Sequence, residues 1–404
     1  MSSPKRVSLE VGQKIRVTIE KIAHGGHFIA RHEGAVIFLR HGIPGEEVEA
    51  EITSVGSTFN RGDVVNVITP STDRVTAPCR YAHRSGCGGC DFQHISVVRQ
   101  RSLKSDVIAD QFSRIAKMEI KVEVEEINKP LGWRTRCSAV TTKSGALGFY
   151  KSRSHTVIPV DDCRILVPEM NFSELVQRGA KSDQRIEISI SNTGERSIAT
   201  ANLREESPMR LSEGVDVAHY TVGKNSFEVS QKSFWQSHKD APSVLTDAVL
   251  DFANIKTGDQ VLDLYGGVGL FTAALIPLVG ESGTVDLVEG SKSATSDATR
   301  NFAKDKNVNI VTGDVAKVIT RFPRADVVVL DPPREGAGKD VIENLARIAP
   351  RTIVYVACDP AALARDTAYL RDVGYQLDVL RAFDLFPMTH HIECVAKFVL
   401  TKVS

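Results

Sequence analysis

The chain lacks the long apolar run of roughly 20 residues that a membrane-spanning helix requires, which excludes a helical membrane protein. No apolar segment follows the charges of Met1-Ser2-Ser3-Pro4-Lys5-Arg6, so no secretory signal is read and a cytoplasmic location is expected. It also lacks an excess charge of either sign. Fifty Lys and Arg balance fifty Asp and Glu, so any nucleic-acid binding must rest on local basic patches. Internal repeats and low-complexity segments are missing. What remains is ordinary for globular protein: 42% hydrophobic and 25% charged residues over 404 positions, enough for two or three domains with real cores. Cysteine is present in the odd number of seven, three of them within a dozen residues. Without an export signal, that crowding favours metal binding or catalysis over disulfides.

Three regions differ in pattern. Residues 1–68 alternate apolar and polar in four short runs (14–19, 35–39, 47–52 and 63–68), separated by turn signals such as His24-Gly25-Gly26-His27. That spacing predicts a small β-barrel. Residues 69–235 form a second region: a Pro- and Cys-containing connector to residue 92, a helical pattern over 95–115, then strands with exposed loops at 191–195 and 204–208. Residues 236–404 alternate helical and near-continuous apolar strand segments, the pattern of a doubly wound parallel α/β sheet.

In that third region, strand ends carry chemistry. Asp263-Leu264-Tyr265-Gly266-Gly267-Val268-Gly269 joins a strand at 260–264 to a helix, but lacks a full Gly-x-Gly-x-x-Gly. A carboxylate ahead of the loop would repel a pyrophosphate and attract the ammonium and sulfonium of S-adenosylmethionine. The glycines permit close backbone approach. Glu289, ending the next strand about 20 residues on, is placed to accept two ribose hydroxyls. Asp314, after a third strand at 308–311, is placed for the adenine amino group.

Asp331-Pro332-Pro333-Arg334 ends a buried strand at 326–330, and Cys358-Asp359-Pro360 ends another at 352–357. A thiol at the lip of an open α/β sheet lies where such sheets keep their chemistry. The carbon C5 of a pyrimidine is a poor nucleophile. Thiolate addition at C6 makes C5 enolate-like, able to accept a methyl group, after which a base removes its proton. Cys358 is the expected nucleophile and Glu393, opening a late apolar strand, the expected base. Asp331 and Arg334 are placed between donor and acceptor. Cys394 reads as core, while His390 and His391 read equally as solvent-facing or RNA-contacting.

Cys79-x7-Cys87-x2-Cys90, with Gly88-Gly89 inside the last pair, is a ligand pattern, and Cys163 is the best fourth member. Four thiolates suit zinc or an iron–sulfur cluster, and spacing does not separate the two. Cys137 reads as structural.

With these residues in view, the chain resembles the RNA uracil-C5 methyltransferases, especially an iron–sulfur-containing 23S rRNA branch. The likeness spans nearly the whole sequence and is carried by Cys-Gly-Gly-Cys together with Cys358-Asp359-Pro360-Ala361 and its continuation to Asp366. It implies a TRAM domain, an RNA-binding barrel, over residues 1–68. A central iron–sulfur domain would occupy 69–235, and a class I methyltransferase domain 236–404. The segment 93–120 would pack on the methyltransferase domain. The resemblance also implies Cys79, Cys87, Cys90 and Cys163 as [4Fe–4S] ligands, with zinc the lesser possibility. Gln236, in Phe234-Trp235-Gln236-Ser237, joins Asp263, Tyr265, Gly267, Gly269, Glu289, Asp314 and Asp331 as donor-binding residues, and Cys358 and Glu393 become nucleophile and base. Gly266 stands where the family commonly has Cys, a change expected to be harmless. The expected activity is 5-methyluridine formation in structured RNA by a monomer, in 23S rRNA or alternatively at the tRNA T-loop. Of another class, a non-catalytic RNA-binding or ribosome-assembly factor would keep the fold without the chemistry. RNA contact is expected along Arg134, Arg136, Lys143, Lys151 and Arg153, with Trp133, Phe149 and Tyr150 as stacking surfaces.

Overall fold

The structure, a computed structural model, describes residues 9–203 and 207–401. Met1 to Arg6, read above for export, and the first three residues of the loop expected at 204–208 lie outside the described residues. Among the described residues no helix is long and apolar enough to cross a membrane.

Strands β1 (Lys14–Ala23), β2 (His27–His32), β3 (Ala35–Arg40), β4 (Glu47–Ser54) and β5 (Asn60–Thr69) close a barrel in the order β1-β2-β3-β5-β4. Alternation turns Ile15, Val17, Ile19, Phe28, Ala30, Ile37 and Leu39 inward. β2 is a strand the sequence pattern did not yield, because it starts inside the His24–His27 turn signal and carries charged residues outward. The exit from the barrel is pinned by Glu46, fully buried, which pairs with Arg74 through two bonds of 2.6 Å.

After the connector, Ser96 caps α1 (Val97–Gln111), which runs on into one π-helical turn (Phe112–Ala116). Buried residues of this helix, including Leu103, Ile108 and Phe112, share one core with the barrel and the α/β sheet. Short β6 (Val124–Glu125) pairs with a late strand of that sheet (Ala382↔Val124), so this early segment extends it.

A second sheet follows: β7 (Arg136–Thr141), β8 (Leu147–Tyr150), β9 (Val157–Pro159), β10 (Gln184–Ile190), β11 (Arg196–Asn202) and β12 (Arg210–Gly214), ordered β12-β11-β10-β7-β8-β9. A helix, α2 (Phe172–Arg178), interrupts what reads in the sequence as strands only; its seven residues are too short for a helical period to register. β13 (Val217–Val222) and β14 (Asn225–Ser230) form a hairpin whose Val229 and Phe227 join the core of the α/β sheet.

That sheet comprises α3 (Ala241–Ala253), β15 (Gln260–Leu264), α4 (Leu270–Val279), β16 (Thr284–Glu289), α5 (Lys292–Asn301), β17 (Val308–Thr312), α6 (Val315–Val318), β18 (Val327–Leu330), α7 (Lys339–Ile348), β19 (Thr352–Ala357), α8 (Pro360–Asp372), β20 (Tyr375–Phe383) and β21 (Glu393–Leu400). The strand order is β17-β16-β15-β18-β19-β21-β20-β6. All of Val327–Leu330 and Thr352–Ala357 is buried, as expected for strands covered on both faces. The chain winds outward one way from β15 through β16 and β17, then the other way from β18. The switch point therefore lies between β15 and β18, where open α/β sheets bind ligands.

Candidate active site

At the switch point, Asp263 is fully buried at the end of β15. Its Oδ2 accepts bonds from the Thr272 backbone N–H (3.0 Å) and hydroxyl (2.6 Å), while Oδ1 has no partner. Burial pushes this carboxyl up to about 6, against the Thr272 bonds. An orphaned buried carboxylate oxygen is a site for a cation. Gly267, at φ +57°, has open space where a Cβ would stand. Gly269, at φ +96°, has Phe302 there instead, 2.1 Å away. Glu289 accepts from Gly267 N–H (3.1 Å) and Ser291 N–H (2.7 Å), which binds the two strand ends together. Asp314 is exposed and caps α6 through Lys317 N–H (3.1 Å). Tyr265 takes a left-handed backbone conformation, and burial holds its hydroxyl up at about 12. The glycine at 266 is more than harmless: a Cβ would come within 2.6 Å of Leu287 Cγ, so the pair is size-matched. Gln236 lines a cleft with Tyr220 and Trp235 that none of Asp263, Tyr265, Glu289, Asp314 or Asp331 lines. Its neighbour Ser233 bonds Ser293 at 2.6 Å, bringing the turn to the start of α5, and Phe234 stands 67% exposed there.

Beyond the switch point, antiparallel register brings the expected nucleophile and base together. β19 and β21 pair as Ala357↔Cys394, so Cys358 and Glu393 are the next residues in register. Cys358 is half-buried, whereas Glu393 is 4% exposed. Burial, then the Glu393 and Asp331 carboxyls, push the thiol up to about 12, with Arg334 opposing. Burial and Asp331 raise Glu393 well above the usual carboxylate range. Asp331 itself is pushed up to about 7, by burial and then by Asp263. The resting site therefore holds protons, and a positive charge arriving beside it favours the ionised forms. Cys358 also immediately precedes the N-terminus of α8, whose dipole favours a thiolate.

The Cys358 loop is held from two sides. Asp359 caps α8 through Ala361 and Ala362 N–H (both 2.9 Å) and takes His24 Nε2 of the barrel at 2.9 Å. Asp366, fully buried on α8, accepts from the Tyr355 hydroxyl (2.7 Å) and Ala337 N–H (2.8 Å), anchoring the loop that carries Arg334. His24 was read only as part of a turn and Asp366 only as the end of a motif, because each acts through partners outside its own segment. His390 bonds Asp91 at 2.6 Å, and burial presses His391 down to about 3; both are tied into the interior wall.

Cys79, Cys87, Cys90 and Cys163 all line one cavity of about 200 Å³. Gly89 N–H points to Cys87 Sγ at 3.4 Å, a donor suited to a sulfur ligand. Among the described residues, no three His, Cys, Asp or Glu side chains gather closely enough to hold a metal ion. Cys137, buried beside Met170 Sδ (3.7 Å), and Cys394 belong to the core.

The expected RNA stripe does not form as such. Trp133 is fully buried, stacked on His238 at 5.4 Å, and Phe149 stacks on Phe172 at 5.6 Å. Arg134 and Arg136 spend donors on backbone carbonyls of Arg136 (2.7 Å) and Ser233 (3.0 Å). Basic residues with interleaved aromatics marked a stripe in the sequence, but the fold buried Trp133 and packed Phe149 on α2, leaving only Tyr150 of the three rings exposed.

A doubly wound sheet with an acidic crevice at its switch point, and antiparallel β21 inserted beside β19, defines a class I methyltransferase of the S-adenosylmethionine-dependent kind. Residues 211–402 match the tRNA (Uracil-5-)-methyltransferase family, and residues 8–65 match the TRAM domain. An uncharacterized RNA methyltransferase of Streptomyces avermitilis is 40% identical, covering 96% of this chain and 98% of its own length. Another from Corynebacterium efficiens is 38% identical, covering 96% of each. Among solved structures, Pyrococcus abyssi tRNA (uracil-54, C5)-methyltransferase in complex with S-adenosyl-L-homocysteine superposes with a TM-score of 0.71 at 21% identity, over 95% of this chain and 99% of its own. The chain belongs to the RNA (uracil-5-)-methyltransferase family and is an RNA methyltransferase enzyme with a TRAM barrel.

Proposed function

We propose that the protein methylates C5 of a uridine in RNA through a covalent adduct between Cys358 and C6. The observation that carries this reading is the register Ala357↔Cys394, which sets a thiol opposite a buried carboxyl beside Asp331 and Arg334. The Cys358 thiolate adds to C6, forming a carbon–sulfur bond and placing negative charge over C5 and O4 of the ring. Bound S-adenosylmethionine supplies the electrophilic methyl group that C5 takes. Glu393, ionised, then removes the C5 proton, the C5–C6 double bond re-forms, and Cys358 leaves as thiolate. Arg334 is placed to stabilise the charge on the ring oxygen. Asp263, Tyr265, Gly267, Gly269, Glu289 and Asp314 would hold the donor across successive strand ends, with Gln236 contributing from its turn and Asp331 between the two substrates. The uridine must leave its stack to reach the thiol.

The substrate we favour is 23S rRNA. The four-cysteine cavity supports an iron–sulfur branch: a [4Fe–4S] cluster, larger than one ion, suits four thiols arrayed around a void more than zinc does. Cys79, Cys87, Cys90 and Cys163 would hold it, and iron and sulfide content of anaerobically purified protein tests this. The tRNA T-loop is the competing target, and tRNA is the RNA named by the family description and by the Pyrococcus protein.

Cys358→Ala should abolish methyl transfer while S-adenosylhomocysteine still binds by calorimetry. Glu393→Gln should accumulate an RNA–protein adduct on denaturing gels, because the thiol cannot leave until C5 loses its proton. Turnover by the alanine variant, or no adduct with the glutamine variant, overturns the mechanism. Mass-spectrometric mapping of 5-methyluridine in rRNA and tRNA of a deletion strain decides the substrate.

A further inference from the structure

The base proposed for the reaction has no side-chain anchor of its own. Among the described residues, no hydrogen bond or ion pair holds the Glu393 carboxyl, so its position is inherited from its backbone. β21 fixes the chain after it. Before it runs the loop of residues 384–392, which joins β20 to β21. Whatever holds that loop sets where Glu393 can reach.

The early chain grips the loop at three points. Lys104 of α1 donates to the Asp384 carboxylate (2.6 Å) and to the Phe386 carbonyl (3.0 Å). Met388 stands at a left-handed φ of +68°, a conformation that a long side chain keeps only where its surroundings impose it. Its N–H donates to Gln100 Oε1 (2.9 Å) and its carbonyl accepts from Phe92 N–H (3.0 Å). The third point is His390, whose Nδ1 donates to Asp91 Oδ2 at 2.6 Å. Among the described residues, no other hydrogen bond leaves the loop between Met388 and Glu393.

Asp91 and Phe92 directly follow Cys90, and this segment is itself held fast. Phe92 is fully buried and meets Phe28 of the barrel core at 6.1 Å, while Asp91 Oδ1 takes Arg40 of β3 at 3.4 Å. Cys90 and Cys163 pack against the small buried cluster that contains Met388. His390 is enclosed on other sides too. Its ring meets His391 at 4.2 Å, and Gly26 of the barrel turn comes so near that a Cβ there would lie 2.9 Å from His390 Cβ.

We propose that Asp91 is a positioning residue for the base: through His390 it fixes the end of the β20–β21 loop, and with it the reach of Glu393 to the C5 proton. This rests on the proposed covalent reaction and divides that reaction in two. Thiolate addition and methyl transfer use Cys358 and the donor, and Glu393 acts only afterwards. Its carboxylate takes the C5 proton, the C5–H electron pair re-forms the C5–C6 double bond, and the C6–S pair leaves on Cys358. Loosening His390 slows the second half alone.

The test is a rapid-quench single turnover of full-length protein with methyl-labelled S-adenosylmethionine and total RNA from a deletion strain, resolved on denaturing gels. Asp91→Ala and His390→Ala should form the labelled protein–RNA adduct at the wild-type rate and slow its decay by about ten- to a hundredfold, as expected for a misplaced catalytic group. Asp91→Asn keeps an acceptor for Nδ1, and His390→Asn keeps a donor at the Nδ1 position, so both should recover most of the decay rate. Because one contact is involved, the double alanine variant should decay no more slowly than either single variant. Equal slowing of formation and decay, no slowing, additive losses in the double variant, or His390→Asn as slow as His390→Ala would each overturn the positioning role. An unfolded Asp91→Ala leaves the two His390 variants to decide. Glu393→Gln in the same assay separates the two readings. No adduct there removes the covalent reaction, whereas an adduct there with normal decay in His390→Ala removes only the positioning by Asp91.

Discussion

A cysteine with its thiol pushed up to about 12 is a poor nucleophile at rest, and burial, then the surrounding carboxyls, are the reason. Asp331 raises both Cys358 and Glu393, so the three groups titrate as a set. In the proposed reaction Glu393 must ionise before it can take a proton, which puts the expected acid limb of the pH–rate profile above the ordinary carboxylate range. Asp331→Asn removes a negative neighbour and lowers both of the other values. We expect kcat/KM to fall at its maximum while the acid limb moves toward lower pH. A limb unmoved, or moved upward, would separate Asp331 from the base. Cys358 and Glu393 were both legible in the sequence as strand-end residues of the right chemistry. That they face one another was not, since 35 positions of chain separate them and only pairing register joins them.

At the scale of elements, short range decided what could be read. The strands of the α/β sheet were legible because both faces are buried and apolar runs are continuous. β2 and α2 were not, the first hidden by a turn signal and the second by its length. Trp133 misled for a related reason: sequence places it among basic residues, while packing stacks it on His238 from a distant segment. α8 positions chemistry at two points along its length. Asp359 caps it beside Cys358, and Asp366, about two turns further on, holds the loop of Arg334. Asp366→Ala strands the Tyr355 hydroxyl donor, costing roughly 1–3 kcal/mol when buried unpaired, and leaves the Ala337 N–H only the Tyr355 oxygen at 2.9 Å. We expect a lower thermal midpoint and a lower kcat with donor affinity retained, partly restored by Asp366→Asn. Equal loss of donor binding would mean that the loop positions the cofactor instead.

Across the whole molecule, the barrel is no loose appendage. Its core is continuous through Phe28 and Phe92 with α1 and one face of the α/β sheet. Lys104 of α1, fully buried, bonds Asp384 at 2.6 Å and crosses from the early to the late chain. Removing one partner of such a pair leaves a buried charge, so Lys104→Met should cost about 3–5 kcal/mol in chemical denaturation, whereas less than 1 kcal/mol would show that water reaches the site. The docked surface also carries the His24–Asp359 pair. His24 is raised above 6.5 by that bond, so its contribution is complete below 6.5 and is lost as pH rises through the raised value. Asp359 is held below 3.8, chiefly by His24 against burial, so its contribution is complete above 3.8 and is lost as pH falls through the lowered value. His24→Ala should therefore lower the melting temperature more at about pH 5.5 than at about pH 8.5. A deficit independent of pH would show that the ring only packs.

Local pattern alone marked the barrel, the doubly wound sheet and the candidate reacting and cysteine residues, because strand period, turn chemistry and residue type are written over neighbouring positions. Tertiary structure alone decided that thiol and carboxyl share a register and that the barrel reaches the Cys358 loop through His24. Those relations depend on contacts closed over tens to hundreds of residues, and packing, with no local signature in the chain, selects them.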